Sequence, residues 1–177
     1  MTPELLQRTI SGIILIAIAV AALWFGGIAL WGLATAAALI MMGEWAGLTE
    51  AAQHKKLAQY AFCIPLALLS PLAAGPGALV AGAFVAVLLA LLVATRNGWL
   101  AAGALYVGLP IMALLWMREQ ENGLLLAFWG LSLVWATDIG AYFAGRGFGG
   151  PKIAPSISPN KTWAGLFGGM LGALLLG

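Results

Sequence analysis

Residues 77–94 read GALVAGAFVAVLLALLVA, a run of 18 residues without a charged or strongly polar side chain. At about 1.5 Å of rise per residue, such a run forms a helix of ~27 Å, close to the ~30 Å hydrocarbon core of a bilayer. Only a helix or a closed barrel satisfies its backbone polar groups in lipid. This stretch therefore predicts a membrane-spanning helix, and it sets the expectation for the rest of the chain.

The composition extends that expectation to the whole chain. Of its 177 residues, 63% are hydrophobic and 8% are charged, so a water-soluble fold could not cover its surface with polar side chains. The 24 glycines and eight tryptophans are typical of close helix packing and of the headgroup layer. We therefore predict an all-α, polytopic transmembrane helical bundle. A net charge of +2, spread over separate loops, argues against nucleic-acid binding.

Charged or Gly/Pro-rich segments divide the chain into about seven apolar spans, the last of them incomplete. The predicted spans are 9–25, 28–42, 60–74, 77–94, 99–117 and 124–143, with a seventh that starts at Trp163. We expect the third to be the least regular, because Pro65 and Pro71 each remove a helix hydrogen bond. We interpret residues 1–177 as one membrane domain, in which 1–131 form the N-terminal spans and 132–177 begin a catalytic region.

The basic residues predict the orientation of the chain. With the N-terminus in the cytoplasm, only Arg118 falls on the outer side, where Glu119 and Glu121 accompany it. The seven basic residues that fall on the cytoplasmic side are Arg8, Lys55, Lys56, Arg96, Arg146, Lys152 and Lys161. The positive-inside rule therefore favours a cytoplasmic N-terminus.

Asp138 is the only acidic residue well inside a predicted span, one to two turns from its cytoplasmic end. Ionisable groups inside a membrane are costly and commonly functional. The alternative is a carboxylate close enough to the interface to be solvated or to pair with Arg146. In a site that handles phosphates, a carboxylate is a ligand suited to Mg²⁺.

A polar turn follows this helix. Glycines surround Arg146 and would let the backbone approach a ligand. Further on, the run Ser158-Pro159-Asn160-Lys161-Thr162 precedes a predicted helix start, where free amides and the helix dipole favour an anion. The alternative is a helix N-cap with interfacial lysines. With Lys152, these residues predict a cationic mouth beside the carboxylate, suited to a nucleotide and an acidic lipid headgroup.

A resemblance rests on these residues. Asp138-Ile-Gly-Ala-Tyr142, Gly145-Arg146, Pro155 and Ser158-Pro159-x-Lys161-Thr162-x-x-Gly165 together resemble the characteristic stretch of bacterial phosphatidate cytidylyltransferases. The resemblance covers about a fifth of the chain. Two positions depart from it: many family members have lysine where this chain has Asn160, and glutamate where it has Ala164.

The resemblance implies an enzyme that transfers CMP from CTP to phosphatidic acid with Mg²⁺, in the bacterial inner membrane and with its site facing the cytoplasm. It implies catalytic roles for Asp138 and Lys161, with Asp138 as a metal ligand. The phosphate-binding residues it implies are Ser158, Asn160, Thr162, Arg146 and Lys152. The family's aspartate-rich C-terminal signature, which supplies the main metal ligands, would lie beyond Gly177.

The seventh span covers only ~21 Å from Trp163 to Gly177. We therefore expect this polypeptide to be a fragment, and because the C-terminal signature is missing from it, we expect it to be inactive alone. Gly165, Gly169 and Ala173 recur every fourth residue and predict a small-residue face, which would pack on a neighbouring helix or form a homodimer.

Other functions remain open from the residues. One is a related membrane lipid kinase or cytidylyltransferase, such as a polyprenol kinase. Another is a small cation- or proton-coupled transporter in which Asp138 carries the proton or cation. The surface position of the polar turn argues against the transporter, because such proteins bind near the bilayer midplane.

Overall fold

Helices account for most of the computed structural model, which describes residues 3–155 and 158–177. The described residues form seven α-helices, one short 3₁₀ helix and one β-hairpin. Their bounds are α1 Pro3–Phe25, α2 Gly27–Leu48, the 3₁₀ helix Ala52–His54, α3 Lys55–Leu68, α4 Ala78–Thr95, α5 Gly98–Arg118, α6 Gly123–Gly147, β1 Lys152–Ala154, β2 Ser158–Thr162 and α7 Trp163–Leu176. The protein is therefore an all-α integral membrane protein, as its composition predicts.

Four of the described helices, α2, α4, α5 and α6, are long and apolar enough to cross a membrane. The shorter apolar helices are Thr9–Phe25 and Trp163–Leu176. The span count of about seven and the cytoplasmic N-terminus stay predictions.

Several predicted boundaries are wrong: α2 ends at Leu48 rather than at residue 42, and the third and sixth segments also differ. The third apolar segment forms α3, which starts at Lys55 and ends at Leu68, because the two lysines enter the first turn and the backbone turns at residues 69–74 ahead of the next helix. The sixth helix continues from the predicted end at residue 143 to Gly147. The predicted glycine-rich loop therefore begins only after α6.

The chain divides into two compact units, Met1–Leu124 and Leu125–Gly177. In the first unit, α2 lies against α1, α3 and α5, while α4 lies against α3 and α5. The rings of Phe62 and Phe84 meet at 5.3 Å between centroids. Other large side chains that are fully buried in this unit are Met42, Leu66, Leu69, Leu91, Leu100, Val80 and Val107.

Arg118 closes the C-terminus of α1. Its Nε donates to the carbonyl of Leu23 at 2.8 Å, and its Nη2 donates to the carbonyl of Trp24 at 3.0 Å. Those carbonyls belong to the last turn of α1. Carbonyls of a last turn lack hydrogen-bond donors within the helix and form the negative end of the helix dipole. Gly26, at φ 61°, makes room: a Cβ there would stand 3.0 Å from Arg118 Cζ. The basic residue predicted on the outer side is thus held by helix carbonyls.

The second unit contains most of α6, the hairpin and α7. In the hairpin, Lys152 pairs with Thr162 and Ala154 with Ser158 in antiparallel register, with an irregularity between the two pairs. Trp163 then donates its backbone N–H to the carbonyl of Pro151 at 3.1 Å. The polar turn predicted before the last helix is therefore a hairpin that leads directly into α7.

Glycine faces bring α6 and α7 together. A Cβ added at Gly140 would strike the carbonyl oxygen of Gly168, and one at Gly168 would strike the Cβ of Ala144. One at Gly169 would stand 3.0 Å from the carbonyl oxygen of Thr137. Small residues permit this approach of two backbones, which is a common way to join helices in lipid.

Candidate functional site

Asp138, Tyr142 and Arg146 form a row along α6. They lie four residues apart, so they share one side of the helix, and all three are exposed. None of the three side chains is among the atoms that the packed glycines of α6 and α7 would meet, so the row is not covered by this helix contact. The row is therefore accessible to a ligand along two turns of the helix.

The carboxylate of Asp138 has no hydrogen bond or ion pair with the described residues. It lies nine residues before Gly147, which is ~14 Å along the helix axis. This is deeper than the one to two turns predicted, because α6 continues past its predicted end. The helix is ~37 Å long, longer than the ~30 Å hydrocarbon core.

Arg146 lies in the last turn of α6, where a cation complements the helix dipole. Its Nη1 donates to the hydroxyl of Tyr142 at 2.8 Å, and its Cζ lies 5.9 Å from the centroid of that ring. The guanidinium is thus held against the side chain of Tyr142, one turn earlier on the same helix. Sequence reasoning missed the contact between Tyr142 and Arg146, although the four-residue spacing is typical of it.

Thr162 is the N-cap of α7. Its hydroxyl oxygen accepts a hydrogen bond from the backbone N–H of Gly165 at 3.1 Å, and its side chain is only 5% exposed. Cβ atoms at Gly145 and Gly165 would each stand 3.2 Å from its Oγ1. This geometry is that of a helix N-cap, the alternative considered from the sequence. Because the hydroxyl oxygen accepts the capping bond, only the hydroxyl hydrogen of Thr162 is left to donate to a phosphate. Phosphate binding by Thr162 stays a prediction.

The remaining polar residues lie on the hairpin. Asn160, Lys161 and Lys152 are exposed, while Ser158 is half-buried. Neighbouring strand residues point to opposite faces, so Lys161 points away from the face where Thr162 is buried. Lys152, the partner of Thr162, is on the other face from Lys161. The hairpin thus presents its two ammonium groups on different faces.

The structure does not join the carboxylate to the hairpin directly. Gly145 lies beside Thr162, whereas Thr137 lies beside Gly169, so α6 and α7 run antiparallel. Asp138 is seven residues from Gly145, or ~10 Å along the axis from the level of Thr162. Arg146 is near that level. A ligand that touches both Asp138 and the hairpin must therefore be larger than one phosphate group.

A groove of about 460 Å³ also lies between α6 and α7. Trp135, Ile139 and Leu176 are among its lining residues, and none of the predicted site residues lines it. Because its lining is almost wholly apolar, this groove is not a phosphate site.

No group of three or more His, Cys, Asp or Glu side chains comes together as a metal site in the residues that the structure describes. Mg²⁺, however, is commonly held by one or two carboxylates together with substrate phosphates and waters. The uncommitted carboxylate of Asp138 fits that ligand type, though not a site built from protein groups alone.

Comparisons with known proteins give the family. A sequence model described as the cytidylyltransferase family matches residues 6–177. A protein of Brucella suis named phosphatidate cytidylyltransferase is 38% identical over 178 residues, covering 97% of this chain and 65% of its own length. A protein of the same name from Haemophilus influenzae is 49% identical over 59 residues, which cover 33% of this chain and 20% of the relative.

A third protein of that name, from Bacillus subtilis, is 39% identical over 80 residues, which cover 45% of this chain and 30% of the relative. No solved structure matches this chain significantly. The chain spans 65% of the length of the Brucella relatives. The family match includes both compact units, and on this basis the chain belongs to the cytidylyltransferase family.

Proposed function

We propose that this protein transfers the cytidylyl group of CTP to phosphatidic acid, forming CDP-diacylglycerol and pyrophosphate. The observation that carries the proposal is the similarity along 97% of the chain to relatives named phosphatidate cytidylyltransferase. The row on α6 supports it, because an exposed carboxylate and an exposed guanidinium lie on a helix of membrane length.

In the proposed reaction, a phosphate oxygen of phosphatidic acid attacks the α-phosphorus of CTP. The bond from that phosphorus to the bridging oxygen of the β-phosphate breaks, and pyrophosphate leaves with the electron pair. Both substrates are anions, so the repulsion between them must be offset. Arg146, Lys152 and Lys161 are exposed cations at the end of α6 and on the hairpin, and cations that meet phosphoryl oxygens supply this kind of stabilisation.

Asp138 is proposed to hold Mg²⁺ together with oxygens of the substrates. When bound, the ion would neutralise charge on the phosphate oxygens. Lys161 is proposed as a catalytic cation, since its ammonium group is exposed beside the start of α7. Ser158, Asn160 and Thr162 are proposed as hydrogen-bond donors to phosphate, Thr162 through its hydroxyl hydrogen alone.

The proposed location is the bacterial inner membrane, with the site facing the cytoplasm, where CTP is available. A homodimer is proposed as well, but not through the small-residue face of α7. Gly165 and Gly169 of that face are already packed on α6 in the same unit, so a dimer contact would use other residues.

The test is an assay of the purified full-length gene product with CTP labelled at its α-phosphate and phosphatidic acid in mixed micelles. We expect label in CDP-diacylglycerol and one pyrophosphate released per product. Release of CDP with label-free lipid would identify a lipid kinase. Ion uptake into proteoliposomes without nucleotide consumption would identify a transporter, and either result would overturn the proposal.

A further inference from the structure

The contact between Tyr142 and Arg146 is more than one weak surface pair. The guanidinium meets the tyrosine twice, through the 2.8 Å hydrogen bond to the hydroxyl and through the ring face at 5.9 Å. The ring is itself held, because Phe143 meets it edge-on at 5.5 Å between centroids with the planes at 81°. An arginine held at both places loses less freedom on binding a ligand than one that moves freely.

The direction of the side chain matters for what it can bind. An arginine in the last turn of a membrane helix would ordinarily extend into the headgroup region or contact the terminal carbonyls. Here the guanidinium is held by Tyr142, which lies one turn earlier on the side of α6 that carries Asp138. One nitrogen, Nη1, is engaged by the tyrosine. The edge formed by Nε and Nη2 donates to none of the described residues, and that edge matches two oxygens of a phosphate.

We propose that Tyr142 is a positioning residue that presents the free edge of Arg146 to a phosphoryl group of the substrates, on the side of α6 that carries Asp138. The inference rests on the proposed function and adds a residue to it. Tyr142 touches no reacting atom in this scheme; it acts through Arg146. The phosphoryl group belongs either to the nucleotide or to the lipid, and the experiment separates the two.

Tyr142→Phe is the sharpest variant, because it removes the hydroxyl and leaves the ring on Phe143. The matched control is Tyr60→Phe, at another exposed tyrosine, whose hydroxyl has no hydrogen bond to the described residues. Both are made in the full-length gene product. Binding of CTP is measured in detergent, binding of phosphatidic acid is measured in nanodiscs, and kcat and KM are measured for both substrates.

We expect Tyr142→Phe to weaken binding in one arm by about five- to tenfold, the scale of the net contribution of one hydrogen bond. The KM of the same substrate should rise in parallel, while kcat should change by less than about twofold because the chemistry is untouched. A change in the CTP arm assigns the phosphoryl group to the nucleotide, and a change in the nanodisc arm assigns it to the lipid. Unchanged affinity in both arms would overturn the inference.

A double-mutant cycle tests whether Tyr142 acts through Arg146. If it does, Tyr142→Phe has no further effect on affinity in an Arg146→Ala background. Additive losses would show that the tyrosine acts independently and would overturn the positioning role. Binding does not depend on turnover: a coupled loss of affinity in a protein that forms no CDP-diacylglycerol would support the positioning role while refuting the proposed reaction.

Discussion

The helices inside each of the two compact units pack in different ways. In the unit Met1–Leu124, large side chains such as Phe62 and Phe84 fill the space between helices. In the unit Leu125–Gly177, α6 and α7 meet through glycines, with backbone close to backbone. In the most apolar window of α5, 39% of residues are buried, against 6% in that of α6.

The difference shows how a membrane protein can combine tightly packed helices with an exposed row of polar side chains on α6. Side-chain packing uses the surface of a helix for stability. Backbone packing through glycines needs only a narrow strip, so the rest of α6 remains free to carry Asp138, Tyr142 and Arg146. Helices in lipid gain little from the hydrophobic effect between them, so a narrow but very close contact is an effective solution.

The largest expected effect comes from the row itself. Asp138→Asn should lower kcat by about 100-fold or more, because a lost charge-stabilising group typically costs 10²–10³ in rate. The midpoint of SDS-induced unfolding, followed by helical circular dichroism, should not move, since the carboxylate has no hydrogen bond or ion pair with a described residue. Glu121→Gln, at another exposed carboxylate, is the control. If Asp138→Asn kept more than half of the wild-type kcat, Asp138 would not be a residue of the catalytic site.

Phe84→Ala tests the side-chain packing of the first unit. Phe84 is fully buried against Phe62 and beside Gly108, so the truncation should lower the free energy of unfolding by about 3 kcal/mol through the cavity it leaves. SDS titration measures the change. Val93→Ala, on the exposed face of the same helix, should cost less than about 0.5 kcal/mol. Equal effects of the two variants would contradict the described core.

Gly140→Ala tests the backbone packing of the second unit. The added methyl would strike the carbonyl oxygen of Gly168, and we expect a loss of about 2 kcal/mol, typical of overpacking. The matched variant is Gly147→Ala in the same helix, where a Cβ would meet no described atom within 4 Å. It should leave stability unchanged or slightly raised. Thermal unfolding in detergent compares them, and a harmless Gly140→Ala would mean that the helices are less close than described.

Arg118→Leu gives the smallest of these effects. It removes two hydrogen bonds to the end of α1 and should cost about 1–2 kcal/mol, because each carbonyl loses its partner. Lys56→Leu, at an exposed lysine, is the control for loss of one positive charge. Unfolding midpoints that match between the two variants would refute the helix-capping role of Arg118.

The fold class follows from the sequence because the hydropathy of runs such as 77–94 leaves few alternatives in lipid. The hairpin does not follow, since Lys152–Ala154 and Ser158–Thr162 show no alternation of apolar and polar residues and contain proline and asparagine. The end of α6 was missed because Gly145 and Gly147 are typical of loops. Gly145 is instead helical, and it lies against Thr162 and Gly165 of the next elements.

The sequence predicts candidate residues for the site but not their arrangement, and their roles stay predictions. Asp138 and Arg146 stand out by charge alone in an apolar chain. The separation of ~10 Å between Asp138 and the level of Thr162 depends on the antiparallel register of α6 and α7, which glycine contacts set and no local pattern encodes. Thr162 fits both a phosphate ligand and an N-cap by sequence, and its burial depends on tertiary packing.

The bond from Arg118 to α1 has a consequence for how the protein tolerates change. Its acceptors are main-chain oxygens, which every amino acid supplies, so substitutions along the lipid-facing surface of α1 leave the bond intact. Insertions or deletions just before Gly26 would instead shift those oxygens away from the guanidinium. The contact therefore fixes where the C-terminal end of α1 lies relative to Arg118. It leaves the exposed side chains of α1 free to vary with the composition of the membrane.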